Sequence, residues 1–175
     1  MPGDYPTIAE ALASELVFEG DTIAVAEGRH TFAPVTDAAT SYPIIAAIRK
    51  DVAVIGLPHE RLGEIAAAII EVKEGMTLTV LDCSGAGGFI LDSPGAKLGN
   101  LSLYNFLRTE TAPVLDLVQG VVSNVFFDGS AGSIYNTDLP LIRVRSGTLL
   151  TDCDISGISD WNWWRSNTLL VEGGT

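Results

Sequence analysis

One short pattern returns along this chain at intervals too long for a heptad and too regular for chance. It reads Asn100-Leu101-Ser102-Leu103, then Asn124-Val125-Phe126-Phe127, then Asp152-Cys153-Asp154-Ile155: a small polar residue, then apolar, any, apolar. Earlier copies are Thr77-Leu78-Thr79-Val80, Asp51-Val52-Ala53-Val54 and Thr22-Ile23-Ala24-Val25. The polar column is therefore Thr22, Asp51, Thr77, Asn100, Asn124 and Asp152, spaced by 29, 26, 23, 24 and 28 residues. Repeats of this length belong to stacked architectures, in which each unit buries its apolar face only against its neighbours.

A second column precedes the first by 6 to 10 residues and holds Ile45, Ile70, Ile90, Leu115, Ile142 and Leu170. Each lies in a short β-rich run, such as Pro113–Leu117 or Pro140–Val144. Two short alternating strands per repeat, separated by turn residues, predict a coil of parallel strands. A leucine-rich repeat is the main rival, but it keeps a fixed length and a Leu-x-x-Leu-x-Leu consensus, and neither is kept here.

At the N-terminus, Thr7 and Glu10 form a capping box after Pro6, and Ile8, Leu12 and Leu16 fall on one helical face. A short amphipathic helix laid over the open end of a strand coil covers an otherwise exposed core, so residues 1–20 are expected to be a cap and residues 21–175 the coil, as one domain. The opening Asp-Tyr-Pro-Thr-Ile, the following Gly-Asp-Thr-Ile-x-Val and Glu-Gly-Arg-His-Thr-Phe, and the repeated turn column resemble the pectate-lyase-like superfamily, which includes polysaccharide lyases and viral tailspikes. The resemblance implies an all-β, right-handed parallel β-helix, here of about five to six rungs behind a short N-terminal capping helix. It implies a carbohydrate-associated protein, extracellular or on a virion surface. It leaves two activities open: binding or structural support without catalysis, and polysaccharide lyase or glycoside hydrolase chemistry.

Composition narrows the partners. Lys and Arg number 10 against 22 Asp and Glu, a net charge of −12, so phosphate backbones and anionic membranes are poor partners. No run approaches the ~18 apolar residues of a membrane span, and no signal-peptide pattern is seen. Cys83 and Cys153 fall three rungs apart, roughly 14 Å along a stack, so both are expected to be free thiols. Ser84–Gly88 is glycine-rich but lacks the lysine and the strand–loop–helix context of a phosphate loop, so it reads as a tight turn.

Several groups of residues carry possible chemistry. With Leu115 and Ile142 pointing inward, Asp116 and Arg143 point outward at equivalent positions on adjacent rungs, with Arg145 two residues on. By themselves they read as an exposed ion pair. The family resemblance adds a second reading, in which acidic residues on an outer face hold Ca²⁺ and an arginine removes a proton, but one aspartate falls short of the six to eight oxygens such an ion takes. Asp128, Asp154 and Asp160, beside Asp152, are the group dense enough for the paired carboxylates of a glycosidase. Asp160-Trp161-Asn162-Trp163-Trp164-Arg165 gathers every tryptophan of the chain, and Trp161, Trp163, Trp164 and Arg165 suit stacking on sugar rings. His30 and His59 each follow a column residue by eight, a weak candidate metal pair with no third ligand. No cofactor is expected. Asn100 and Asn124 are expected to be structural, bonding the turns of neighbouring rungs. Finally, Thr168–Val171 reads as the first strand of a further rung, so the C-terminal edge is expected to self-associate or to continue into more chain.

Overall fold

The computed structural model describes residues 5–26, 28–56, 79–82, 88–104, 113–128, 140, 142–156 and 169–173. In chain order the elements are α1 (Ile8–Ala13), β1 (Thr22–Val25), β2 (Gly28–Thr31), β3 (Val35–Thr36), β4 (Pro43–Ile44), β5 (Ala46–Ile48) and β6 (Ala53–Gly56). They continue with β7 (Thr79–Asp82), β8 (Phe89–Tyr104), β9 (Leu115–Asp128), β10 (Ile142–Arg145), β11 (Thr148–Thr151), β12 (Asp154–Ser156) and β13 (Leu169–Glu172).

Except for the antiparallel β3–β4 pair, every strand pairing is parallel, and the registers sort the strands into three ladders. The first ladder stacks β5, the start of β8, the start of β9, β10 and β13. A second runs through β1, β6, the middle of β8, the middle of β9 and β11. The third takes β2, β7, the end of β8, the end of β9 and β12. Long strands β8 and β9 visit all three ladders in turn, which makes the protein a parallel β-solenoid. Residues 89–104, 115–128 and 142–156 are its three most continuously described turns.

Three ladders replace the two strands per repeat that the sequence pattern suggested. Asn100 and Asn124 adopt φ of 52°, and Asp152 of 51°, and this left-handed residue bends what alternation alone reads as one strand into two. Asparagine and aspartate tolerate that conformation better than other side-chain-bearing residues. The three lie in one register column, and the Nδ2 of Asn124 donates to Oδ1 of Asn100 at 2.9 Å.

The rest of the proposed polar column shifts. Thr22 is a strand residue paired with Ala53, and Asp51 stands two positions before Ala53, at the preceding corner. There its carboxylate accepts from the Ser93 hydroxyl and from the Gly95 amide at 2.8 Å, and both contacts hold its pKa below the usual carboxylate value. At the same corner two turns on from Asp51, Gly120 has φ of 106°, and a Cβ there would lie 2.6 Å from the Ala96 carbonyl oxygen, so only glycine fits. Thr77 and Ile70 lie outside the described residues.

Within the first ladder Leu115 and Ile142 are paired as the sequence suggests, but Ile45, Ile90 and Leu170 are each one place off. The aligned residues are Ala46, Phe89 and Leu169. Adjacent apolar residues such as Phe89-Ile90 give alternation nothing with which to choose the inward one. Inward columns are Ala46–Phe89–Leu115–Ile142, Ile48–Leu91–Leu117–Val144, Val54–Leu98–Val122–Leu150 and, on the third ladder, Leu103–Phe127–Ile155. The buried side chains among these belong to one apolar cluster, with Leu150, Cys153 and Ile155 packed against it.

Helix α1 occupies the place a first-ladder strand would take in the opening turn. Thr7 caps it by accepting from the Glu10 amide at 3.1 Å, and Ile8, Ala11 and Leu12 are buried against the core beside β5. Leu16 does not join them: the helix ends at Ala13, and Leu16 is 77% exposed. At the other end, Leu169 and Val171 hold inward positions on β13 yet remain 43% and 51% exposed. Cys153 is a free thiol whose pKa burial pushes up, and Cys83 lies outside the described residues.

Two substitutions test this fold. Leu103→Ala or Phe127→Ala, both fully buried, should each lower stability by about 3–5 kcal/mol in denaturant unfolding, because the rungs cannot collapse around the cavity. A loss under ~1 kcal/mol would place these residues outside the interior. Asn124→Ala should cost about 1–3 kcal/mol, combining an unfavourable positive φ with a lost hydrogen bond. Asn124→Gly should recover the backbone part, and equal losses from both variants would assign the whole effect to the side-chain bond.

Candidate functional site

The outer face of the first ladder is where alternation puts side chains that the core does not use. Its central column reads Ala47, Ile90, Asp116, Arg143, Leu170, one residue per strand from β5 to β13. Parallel pairing stacks these residues ~4.8 Å apart, so Asp116 and Arg143 meet directly. Arg145 reaches the same carboxylate from two residues along β10. Its Nε donates to Oδ1 of Asp116 at 3.2 Å and its Nη2 to Oδ2 at 3.0 Å, a two-pronged fork. Arg143 Nη1 stands 3.8 Å from Oδ2, an ion-pair distance without a hydrogen bond.

The ion pair is not the exposed one that outward-pointing residues suggest. Asp116 is only 3% exposed, between Ile90 on one side and the two arginines on the other. Both its oxygens are committed to Arg145, and that fork raises the Arg145 pKa, helped by the nearby carboxylate of Glu172. A guanidinium held more firmly protonated moves in the wrong direction for a general base. The cluster is therefore a buried carboxylate held by a two-pronged fork from Arg145, with Arg143 beside it.

A second buried carboxylate organises the loop joining β3 to β4. Asp37 accepts from Arg49 Nη1 at 2.7 Å and Nη2 at 2.9 Å, and from the Thr40 amide at 2.9 Å and hydroxyl at 2.6 Å. The Arg49 fork is the largest reason its carboxyl lies well below the usual range, with both Thr40 bonds adding to it against the opposing effect of burial. The Asp37 amide donates to the Tyr42 carbonyl at 2.9 Å, and the Ser41 amide to the Asp37 carbonyl at 2.8 Å. This knot fixes Tyr42 at the exit of the loop. Beside it an open groove of about 260 Å³ is lined by Ala9, Leu12, Val35, Asp37, Ile44 and Ala47, among others. Sequence reading missed the knot. Its signal is the Asp37-x-x-Thr40 spacing, in which a carboxylate can bond the amide three residues on.

Other candidates stand apart. Asp154 is exposed and aligns with Phe126, while Asp128 aligns with Ser156, so the two aspartates sit on adjacent strands two positions out of register. Asp152 accepts from the Thr151 hydroxyl at 3.0 Å. His30 holds an inward position on edge strand β2, where its Nε2 lies 2.7 Å from the Ala26 carbonyl oxygen and its ring stacks on Phe32 at 6.2 Å. His59, Asp160, Trp161, Trp163, Trp164 and Arg165 lie outside the described residues. Among the described residues no three His, Cys, Asp or Glu side chains gather as a metal site, and no helix is long and apolar enough to cross a membrane.

Comparison with protein-family models, with curated proteins and with solved structures finds no match to this chain.

The loop knot makes a signed prediction. Asp37→Asn should destabilise the protein by roughly 1–3 kcal/mol at pH 6, towards the low end because Arg49 is more than a third exposed and partly screened by solvent. Since the folded pKa is depressed, that advantage is complete above the unfolded value near 4 and is lost as pH falls through the folded value. The wild type and Asp37→Asn should therefore converge in stability below about pH 4. A constant gap from pH 6 to pH 2 would show that the carboxylate charge contributes nothing.

Proposed function

We propose that this chain is a carbohydrate-associated module built on a right-handed parallel β-helix of five to six rungs, of the pectate-lyase-like kind. In this reading it binds or displays glycan at an extracellular or virion surface and does not cleave it. The observation that carries the reading is the outer column of the first ladder, where Asp116, Arg143 and Arg145 form a polar centre between apolar Ile90 and Leu170. A sugar ring offers hydroxyls at its edge and C–H surface on its faces, so a flat sheet face with polar groups between apolar ones complements it. The tight commitment of Asp116 to Arg145 favours binding over lyase or hydrolase turnover. Trp161, Trp163, Trp164 and Arg165 are proposed as a further contact, by stacking.

The test is a panel of anionic and neutral polysaccharides, read by titration calorimetry, by indole fluorescence and by release of reducing or unsaturated ends. The reading expects saturable binding with at least one glycan, a fluorescence change, and no product. Product release abolished by Asp116→Asn would replace it with the enzyme reading. Absence of binding across the panel would overturn it.

A further inference from the structure

The two most exposed large apolar side chains among the described residues sit two positions apart, on the segment that leads from α1 into β1. Leu16 is 77% exposed and Phe18 65%, whereas Val17 between them packs against the core. The segment is well tied. One turn closes where the Val17 amide donates to the Ser14 carbonyl at 3.4 Å, and a second where the Asp21 amide donates to the Phe18 carbonyl at 3.2 Å. Side chains reinforce both turns. Ser14 Oγ accepts from the Leu16 amide at 3.1 Å and from the Tyr5 hydroxyl at 2.9 Å, and Asp21 Oδ2 accepts from the Phe18 amide at 2.8 Å. The next rung holds the loop as well: Lys50 Nζ donates to the Val17 carbonyl at 2.9 Å, and the Gly20 amide to the Asp51 carbonyl at 2.6 Å. Burying Leu16 and Phe18 would break these bonds, so a fixed backbone presents both to water. Apolar residues held this way and rimmed by charge mark contact surfaces between proteins.

The rim selects the partner. From Thr7 to Ala26 the chain carries Glu10, Glu15, Glu19 and Asp21 and no lysine or arginine. Glu15 and Glu19 are exposed beside the apolar pair, and Lys50, which reaches the loop, is engaged by the Val17 carbonyl. We propose that Leu16 and Phe18 form a docking surface for a basic segment of another protein, one that offers apolar side chains between lysines or arginines. Its apolar groups bury against Leu16 and Phe18 while its cations meet Glu15 and Glu19. A second copy of this chain fits poorly, because it brings the same acidic rim and a net charge of −12. Nucleic acid and anionic bilayers meet the same repulsion. The surface shares no residue with the Asp116, Arg143 and Arg145 cluster, so its occupant is independent of any glycan.

The experiment uses the full chain and a dye-labelled peptide of alternating lysine and leucine, read by fluorescence anisotropy. Its controls are the same peptide with glutamate for lysine, and with serine for leucine. The lysine–leucine peptide should bind saturably and the two controls should not, with affinity falling as salt is raised. Leu16→Ser combined with Phe18→Ser should weaken binding roughly tenfold or more, as loss of a central apolar anchor does. Both side chains lie in water, so thermal unfolding should stay as in the wild type, which separates lost binding from lost folding. Glu19→Lys should also weaken binding, whereas Asp154→Lys, an equal change of net charge at an exposed position on β12, should not. Unchanged affinity in the double serine variant, equal loss from Glu19→Lys and Asp154→Lys, equal binding of either control peptide, or no saturable binding of the lysine–leucine peptide would overturn the proposal. Light scattering that shows a wild-type dimer dissolved by the serine substitutions would overturn it in favour of a contact between copies. Phe18-dependent binding to neutral phosphatidylcholine vesicles, without peptide binding, would replace it with a membrane-contacting surface.

Discussion

Everything in this molecule depends on stacking identical phases of successive parallel strands, so that one apolar side chain sits directly above the next. Phe89, Leu115 and Ile142 form one such column, and Leu98 and Val122 another. Each rung is short, so no rung has a core of its own, and burial is complete only where a rung has a neighbour on both sides. The contrast between Val144, buried on β10, and Val171, exposed beside it on β13, displays this rule within a single register pair. It also explains the place of α1, since among the described residues no first-ladder strand precedes β5.

Stacking in register requires every turn to bend at the same places, and two different devices enforce this. At the corner between the second and third ladders, the backbone enters the left-handed region at Asn100, Asn124 and Asp152. The cost of that conformation is lowest for these residue types, and the Asn124–Asn100 hydrogen bond ties one corner to the next. At the corner between the first and second ladders, Asp51 bonds across to the turn of the following rung, and Gly120 admits the close approach of Ala96. One corner thus relies on a conformational preference and the other on a cross-rung carboxylate.

The stacked fold, the helical cap and the Asn100–Asn124–Asp152 column were legible because each has a local chemical signature. The division into three ladders was not: the repeat aligned Val54 with Leu103, whereas Val54 stacks on Leu98 in the second ladder and Leu103 on Phe127 in the third. Register slipped by one wherever two large apolar residues are adjacent, as at Phe89-Ile90, because burial of Ile90 on the outer face makes both look inward. The juxtaposition of Asp116 with Arg143 could be read from the alignment of Leu115 with Ile142. The fork from Arg145 and the burial of the carboxylate could not, because they depend on how far each side chain reaches and on what covers the outer face. The Asp37–Arg49 knot joins residues twelve apart through a loop, beyond any periodic signal.

The cluster on the first ladder shows how a solenoid carries its folding rule through to its outer face. The same stacking that buries Leu115 on Ile142 brings Asp116 beside Arg143, so the outer face inherits its geometry from the core. The most direct test is therefore of the stacking itself, by nuclear Overhauser contacts in isotope-labelled protein. Parallel register predicts Hα-to-amide contacts joining Leu98–Gly99 to Val122–Ser123 and these in turn to Leu150–Thr151, all running in the same direction. Close Hα–Hα pairs between those segments, the mark of antiparallel strands, would contradict the account at its base.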